Sequence, residues 1–353
     1  MPEAGSNENQ PTTARHGVGI RAVARYIPER VLDNAELVRI MDTSDEWIVQ
    51  RTGVRERHIA RHDETARTMA AEALKSALRS AGLGPEQLDL LIIGTVGMDM
   101  ACPSAACQVL GDLAEDPEFG RSTAAAMDLS AACCGFVYGL NIAHDLIRGG
   151  AYRTAAVIGS EKLSATQQYD TEGRGTAIIF GDGAACTIVD RDDSDPGRGC
   201  LAQSMHADGS RWEDLYIPRR ETRDFPGGAR APGDELPLGL MRMNGRAVFR
   251  FAVGTFQELI QETLDRAGVS AEDVDLYICH QSNVRIIEAA RERFGIPAEK
   301  MPVNIDRYGN TSAASIPILL SELADEGRVR PGSLVMFVAF GAGLTWGSSL
   351  WRV

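Results

Sequence analysis

The chain has 353 residues, with 49 acidic against 36 basic side chains for a net charge of −13; 44% of it is hydrophobic and 24% charged. At roughly 150 residues per domain, this length predicts two domains or one large duplicated unit with a sizeable core, and it excludes a small stapled scaffold. So acidic a chain repels phosphate backbones, which excludes nucleic acid as a partner unless a local basic patch overrides the total.

In chain order, residues 1–15, MPEAGSNENQPTTAR, are polar and without period, and are expected to form a disordered extension. Amphipathic helices are predicted over Glu64 to Ala81, Gly135 to Ile147, Val253 to Ala267 and Val284 to Phe294. Buried strands are predicted at LDLLIIGTV (88–96), TAAVIGS (154–160), AACTIVD (184–190), VDLYICH (274–280) and SLVMFVAF (333–340). Such alternation argues for an α/β fold. Leu78 to Ile93 aligns without gaps to Leu264 to Cys279, each reading helix, Gly turn, Asp, strand, so two similar halves are expected. Arg153 to Gly159 and Ser333 to Gly341, both short buried strands ending in Gly, extend the correspondence. Asp190 to Leu238, rich in Asp, Gly, Pro and Arg, reads as a long surface loop between the halves.

The apolar runs are strand-sized, far below the ~18 residues a membrane helix requires, so no membrane association is expected. The Cys count is odd, seven in all (102, 107, 133, 134, 186, 200, 279), without C-x-x-C pairs and with no signal-peptide pattern before them. Reduced thiols in a cytoplasmic protein, with no metal site, are expected.

Three segments carry candidate chemistry. DLSAACCGFVYGL (128–140) puts a thiol at a helix start, where the dipole and free N–H groups favour a thiolate. Cys133 and Cys134 lie about 100° apart there, so one of them faces any pocket; periodicity does not choose between them. His280, alone among six His, ends a buried strand, at the position matching Gly94 in the first repeat, and could act as the partner of a cysteine nucleophile. Asn310, in the turn YGNTSAAS (308–315), offers a side-chain amide to a carbonyl oxygen. The Gly-rich turn of FGAGLTWGS (340–348) offers backbone N–H groups to an oxyanion. Arg242, Arg246 and Arg250, spaced i, i+4, i+8, share one face if that segment is helical, and Arg285 follows His280 on the next helix.

Together with DTSDEWIVQRTGVRERHIA (42–60), PSAACQ (103–108), GRGTAIIFGDGAA (173–185) and CHQSNVRII (279–287), these segments resemble the β-ketoacyl-acyl carrier protein synthase III family of the thiolase superfamily, over about Val18 to Val353. The resemblance implies a thiolase-like five-layered αβαβα fold with halves at 16–193 and 194–353, the second carrying a long loop at about 194–240. It also implies a homodimer. The family's Cys-His-Asn triad falls on Cys133, His280 and Asn310, and the register before Gly135-Phe136 selects Cys133 over Cys134. Backbone N–H groups of Cys133 and of the Gly341-Ala342-Gly343 turn, Ala342 and Gly343 above all, are then the expected oxyanion hole.

The implied reaction moves an acyl group from acyl-CoA onto Cys133 and joins it to malonyl-acyl carrier protein by decarboxylative Claisen condensation. His280 and Asn310 hold the thioester carbonyl as CO2 leaves, and no cofactor is needed. The family's CoA residues fall on Trp47 and Arg174, which would sandwich the adenine, with Thr43, Arg51 and Arg246 nearby. Carrier-protein docking falls on Arg250 and Arg285. Cys102 stands where many members have a Phe that reaches the partner's acyl pocket, which points to an acyl group longer or more branched than acetyl; the polar extension and the enlarged loop exceed the compact housekeeping form and add a polyketide pathway to the fatty-acid one. A relative that acylates the same Cys but uses an alcohol, an amine or a second β-ketoacyl chain as acceptor is the alternative. A non-catalytic carrier-binding subunit is the reading from another class.

Overall fold

The computed structural model describes residues 16–218 and 239–353. The expected disordered extension at 1–15, and 219–238 of the expected loop, lie outside the described residues.

In the first half, strand β1 (Gly17–Tyr26) precedes helices α1 (Asp45–Thr52) and α2 (Ala66–Ala81). Then come β2 (Leu90–Gly94), α3 (Ala105–Glu115), β3 (Ala125–Leu129), α4 (Gly135–Arg148), β4 (Thr154–Lys162) and β5 (Asp182–Asp192). The second half runs β6 (Gly199–Ala207), α5 (Gly245–Ala267), β7 (Leu276–Cys279), α6 (Val284–Phe294), α7 (Ser315–Asp325), β8 (Leu334–Gly341) and β9 (Thr345–Arg352). The sheets are ordered β1-β5-β4-β2-β3 and β6-β9-β8-β7, the same order except that the second has no fifth strand among the described residues.

Side chains on successive strand residues point to opposite faces, and this alternation builds the layers. Leu90 and Ile92 pack inward with α4, α7 and the facing Ile278 and Phe337 of the second sheet. Leu91 and Ile93 pack outward against α2. Tyr277 and Cys279 likewise pack outward against α5 and α6. The result is the five-layered αβαβα arrangement, with α4 and α7 buried between two sheets. Among the described residues no helix is long and apolar enough to cross a membrane.

The internal repeat is repeated in space. α2 and α5 both end in a left-handed glycine cap, Gly82 (φ 64) and Gly268 (φ 67). The Asp89 carboxylate then accepts from Arg153 N–H (2.7 Å) and Thr154 N–H (3.0 Å), and Asp275 does the same for Leu334 N–H (2.9 Å). Each Asp therefore locks the start of one parallel strand to its neighbour.

Several expectations are corrected. The loop expected over Asp190 to Leu238 contains β6, which pairs antiparallel with β9. Its buried face mixes Ala202 with Ser204, whose Oγ bonds Ser348 Oγ at 2.9 Å, while Leu201 and Met205 face outward, so hydrophobic alternation does not reveal it. Arg242 is not helical: it pairs with Tyr216 in a short ribbon, and Asn244 caps α5 by accepting from Ala247 N–H. Arg246 and Arg250 alone share the helical face. β4 does not stop at Gly159 but continues through Ser160 and Glu161 to Lys162, paired with β5. α5 begins at Gly245, ahead of Val253.

Where α4 crosses β2 the backbones nearly touch: a methyl group on Gly94 would stand 2.6 Å from the Gly135 carbonyl carbon. Gly94→Ala is therefore expected to cost about 1–3 kcal/mol, read as a lower urea midpoint at unchanged m. An unchanged midpoint would show that the close approach is not required.

Candidate active site

Two turns meet at the centre of the molecule, one before α4 (Ala132–Cys134) and one before α7 (Ser312–Ala314). Each holds a non-glycine residue in left-handed backbone, Ala132 (φ 48) and Ser312 (φ 50). Such residues are strained and persist only where surrounding packing enforces them. The first turn presents Cys133 to a cavity of about 480 Å³ whose deep end is lined by Cys133, His280, Asn310, Phe340 and Gly341. Cys134 is wholly buried and does not line it.

The polar groups of the deep end are individually oriented. His280 follows β7, its N–H donating to Val338 O at 2.8 Å. Its Nδ1 lies 2.7 Å from Ser315 Oγ, which also accepts from Gln281 N–H at 3.4 Å. In the tautomer whose Nδ1 accepts from the Ser315 hydroxyl, the proton sits on Nε2, which is buried without a partner among the described residues. Asn310 Oδ1 accepts from Ser312 N–H at 2.7 Å, so the amide's N–H₂ is the group left to offer. Its backbone is held by Ile179 O (2.8 Å) and Gly181 N–H (3.1 Å). Arg57, itself fully buried, braces this loop by donating to Ile178 O and Asn34 Oδ1.

Burial dominates the proton affinities. It pushes the Cys133 thiol up to about 12, opposed by the neighbouring Ser312 side chain. It pushes His280 down to about 3. Burial thus opposes the thiolate expected from the helix dipole, favouring the neutral thiol at Cys133 and the neutral imidazole at His280.

Gly341 lies against Cys133, a methyl group there standing 2.8 Å from Cys133 N. Ala342 and Gly343 do not line the cavity. Among the described residues, however, neither Cys133 N–H nor Ala342 N–H donates to a protein acceptor. Thr345 Oγ1 donates to both Ala131 O and Ala342 O at 3.1 Å, tying the two segments together.

Toward the mouth the lining changes to Trp47, Arg51, Arg246, Phe249, Arg250 and Arg285. Ser44 caps α1 and accepts from Trp47 N–H, which fixes the ring on the first turn. Arg51 and Arg174 lie over that ring, their guanidinium carbons 5.2 and 5.5 Å from its centre. A purine between Trp47 and Arg174 needs about 7 Å, so Arg174, held by Asp42, must swing outward to admit one. Arg174 and Thr43 do not line the cavity; Thr43 Oγ1 is buried and without a partner among the described residues. Arg285 stacks over Phe249 at 5.0 Å. Cys102 is on the surface of this chain, away from the cavity.

The apolar walls Ile179, Phe180, Leu215, Met243 and Ile286 were not legible, because they come from four separate segments. Ser312 and Ser315 stand in TSAAS with nothing to distinguish them from turn residues. Among the described residues no three His, Cys, Asp or Glu side chains converge as metal ligands would.

Comparison with known proteins gives one answer. The C-terminal family model of 3-oxoacyl-[acyl-carrier-protein] synthase III matches residues 264–353, and a second model of that synthase matches 127–209. A β-ketoacyl-[acyl-carrier-protein] synthase III of Caldanaerobacter subterraneus is 44% identical over 336 residues, covering 94% of this chain and 96% of the relative. The crystal structure of 3-oxoacyl-[acyl-carrier-protein] synthase III from Aquifex aeolicus gives a TM-score of 0.84 at 44% identity, over 96% of this chain and 100% of that one. The priming β-ketosynthase of a polyketide biosynthetic pathway gives 0.84 at 30% identity, over 98% of each chain.

The His280 shift carries a stability consequence. Folded His280 binds its proton only near pH 3, whereas an unfolded His does so near 6.5. The unfolded chain therefore takes up the extra proton, and the stability present above about pH 6.5 is lost as pH falls toward 3. Unfolding measurements on His280→Asn should show a shallower loss than wild type between about pH 6.5 and 4; parallel curves would mean that the imidazole is hydrated.

Proposed function

The chain belongs to the β-ketoacyl-[acyl-carrier-protein] synthase III family of condensing enzymes, and from that premise we propose the following chemistry for its own residues. Cys133 attacks the carbonyl of an acyl-CoA, and the N–H groups of Cys133 and Ala342 receive the developing oxyanion. CoA leaves and malonyl-acyl carrier protein enters. His280 Nε2–H and the Asn310 amide donate to its thioester carbonyl, stabilising the enolate that forms as CO2 departs. The enolate attacks the acyl-Cys133 carbonyl and yields a β-ketoacyl-carrier thioester. Loss of CO2 supplies the carbanion, so the proposal includes no metal or bound cofactor.

One observation carries this reading: a single cavity brings together a thiol, an imidazole whose Nε2 has no partner among the described residues and an amide whose oxygen is already engaged. A neutral His280 also suits the role, since a neutral donor stabilises an enolate oxygen without first needing a proton of its own. Trp47, Arg51, Arg174, Arg246 and Thr43 are proposed for CoA, and Arg250 and Arg285 for an acidic carrier protein. A homodimer is proposed on the edge strand β3, which has one neighbour in its sheet and an exposed Met127, and which leads a second copy toward Met100 and Cys102. All seven cysteines are unpaired, which supports a reducing, cytoplasmic setting; the family and the chain's likeness to a polyketide priming β-ketosynthase support a fatty-acid or a polyketide pathway.

Incubation with a panel of acyl-CoAs and malonyl-acyl carrier protein should release CO2 and form a β-ketoacyl carrier. Acylation without CO2 release would instead select the alternative acceptors. Intact-mass analysis should show that Cys133→Ala abolishes the acyl adduct and that Cys134→Ala keeps most of it; the reverse result would exchange their roles. Arg250→Glu and Arg285→Glu should raise KM for the carrier substrate about tenfold and leave acylation by acyl-CoA within about twofold. Equal loss of both steps would count against docking.

A further inference from the structure

Behind Cys133, outside the cavity, stands a carboxyl group that the chemistry above does not use. Glu161 is fully buried on the part of β4 that continues past Gly159. Its Oε1 accepts from Ser312 Oγ at 3.0 Å; its Oε2 accepts from Val96 N–H at 3.1 Å and from Thr95 Oγ1 at 3.3 Å. Ser312 is the hub of the arrangement. Its N–H orients Asn310, and its hydroxyl lies between the Glu161 carboxyl and the Cys133 thiol.

Resting on the reading of Cys133 as nucleophile, we propose that Glu161, acting through Ser312, takes up the Cys133 proton during acylation, holds it while the acyl-enzyme lasts and returns it when condensation frees the thiol. The Cys133 S–H proton passes to Ser312 Oγ as the Ser312 hydroxyl proton passes to Glu161 Oε1. The S–H electron pair forms the new bond to the acyl carbon, and the bond from that carbon to the CoA sulfur breaks. CoA leaves as a thiolate and is protonated by solvent. When the enolate displaces Cys133, the Glu161 proton returns along the same path. Each cycle thus consumes one solvent proton, the one that CoA carries away.

Burial pushes Glu161 up to about 7, against hydrogen bonds from Val96, Ser312, Thr95 and Gly97, so near neutral pH it both accepts and releases a proton. His280, the other titratable group at Cys133, is pushed down to about 3 and is the poorer acceptor. The groups bearing on Glu161 are Thr95 with the Val96 and Gly97 N–H groups after β2, Ser312 before α7, and the Cys133 thiol before α4. Lys162, next in β4, is turned away and donates to Arg61 O and Glu64 O.

Single-turnover acylation of Cys133 by butyryl-CoA, followed by intact mass across about pH 5 to 9, tests the relay. Wild type should show a rate rising through a limb near neutrality. Glu161→Gln should lose that limb and acylate about 10²-fold more slowly, with malonyl-carrier decarboxylation spared, and Glu161→Asp should restore a limb at a shifted pH. Should Glu161→Gln fail to fold, Ser312→Ala interrupts the same path and is expected to behave alike. A Glu161→Gln enzyme with the wild-type rate and limb, or with decarboxylation lost equally, overturns the relay. A wild-type chain that takes no acyl group on Cys133 overturns the nucleophile reading and the relay with it.

Discussion

The site depends on two turns in left-handed backbone, Ala132 before α4 and Ser312 before α7, pressed together between two sheets. Neither conformation is favourable for an L-residue in isolation; each is held because a helix whose first turn is packed between the sheets starts immediately after it. That confinement aims Cys133 into the cavity while Cys134 points into the core. It also places Ser312 where one residue touches the thiol, the Asn310 amide and the Glu161 carboxyl.

Dryness is the second constraint, and it follows from the first. A site enclosed between two sheets removes water from its titratable groups, so Cys133 and Glu161 are driven toward their protonated forms and His280 toward its neutral one. Charge is kept at the mouth instead, where Arg51, Arg246, Arg250 and Arg285 gather on a chain of net charge −13. The field that attracts anionic partners is thereby separated from the neutral chamber in which carbon–carbon bond formation is proposed.

The duplicated halves were legible because a helix, a glycine cap, an Asp and a buried strand recur in the same order, and each element has a local physical cause. The segments bearing Cys133, His280 and Asn310 were legible because polar side chains stood at the ends of buried elements. What stayed hidden obeys no local rule. β6 turns a polar Ser204 inward because a Ser348 waits for it on β9, and nothing near Ser204 in sequence announces this partner. Arg242 falls off the helical face because Asn244 caps the helix two residues later. Glu161 follows a glycine that reads as a strand end, and its burial makes sense only beside Thr95 and Ser312, far away in the chain.

The contact between Gly94 and Gly135 occupies, in the first half, the place that the hydrogen bond between His280 and Ser315 holds in the second. A histidine at Gly94 would have to displace the backbone of α4 itself, so the first half has no room for an imidazole of its own. The two halves are therefore not interchangeable at this position: the turn before α7 leaves room for an imidazole beside it, and the start of α4 does not.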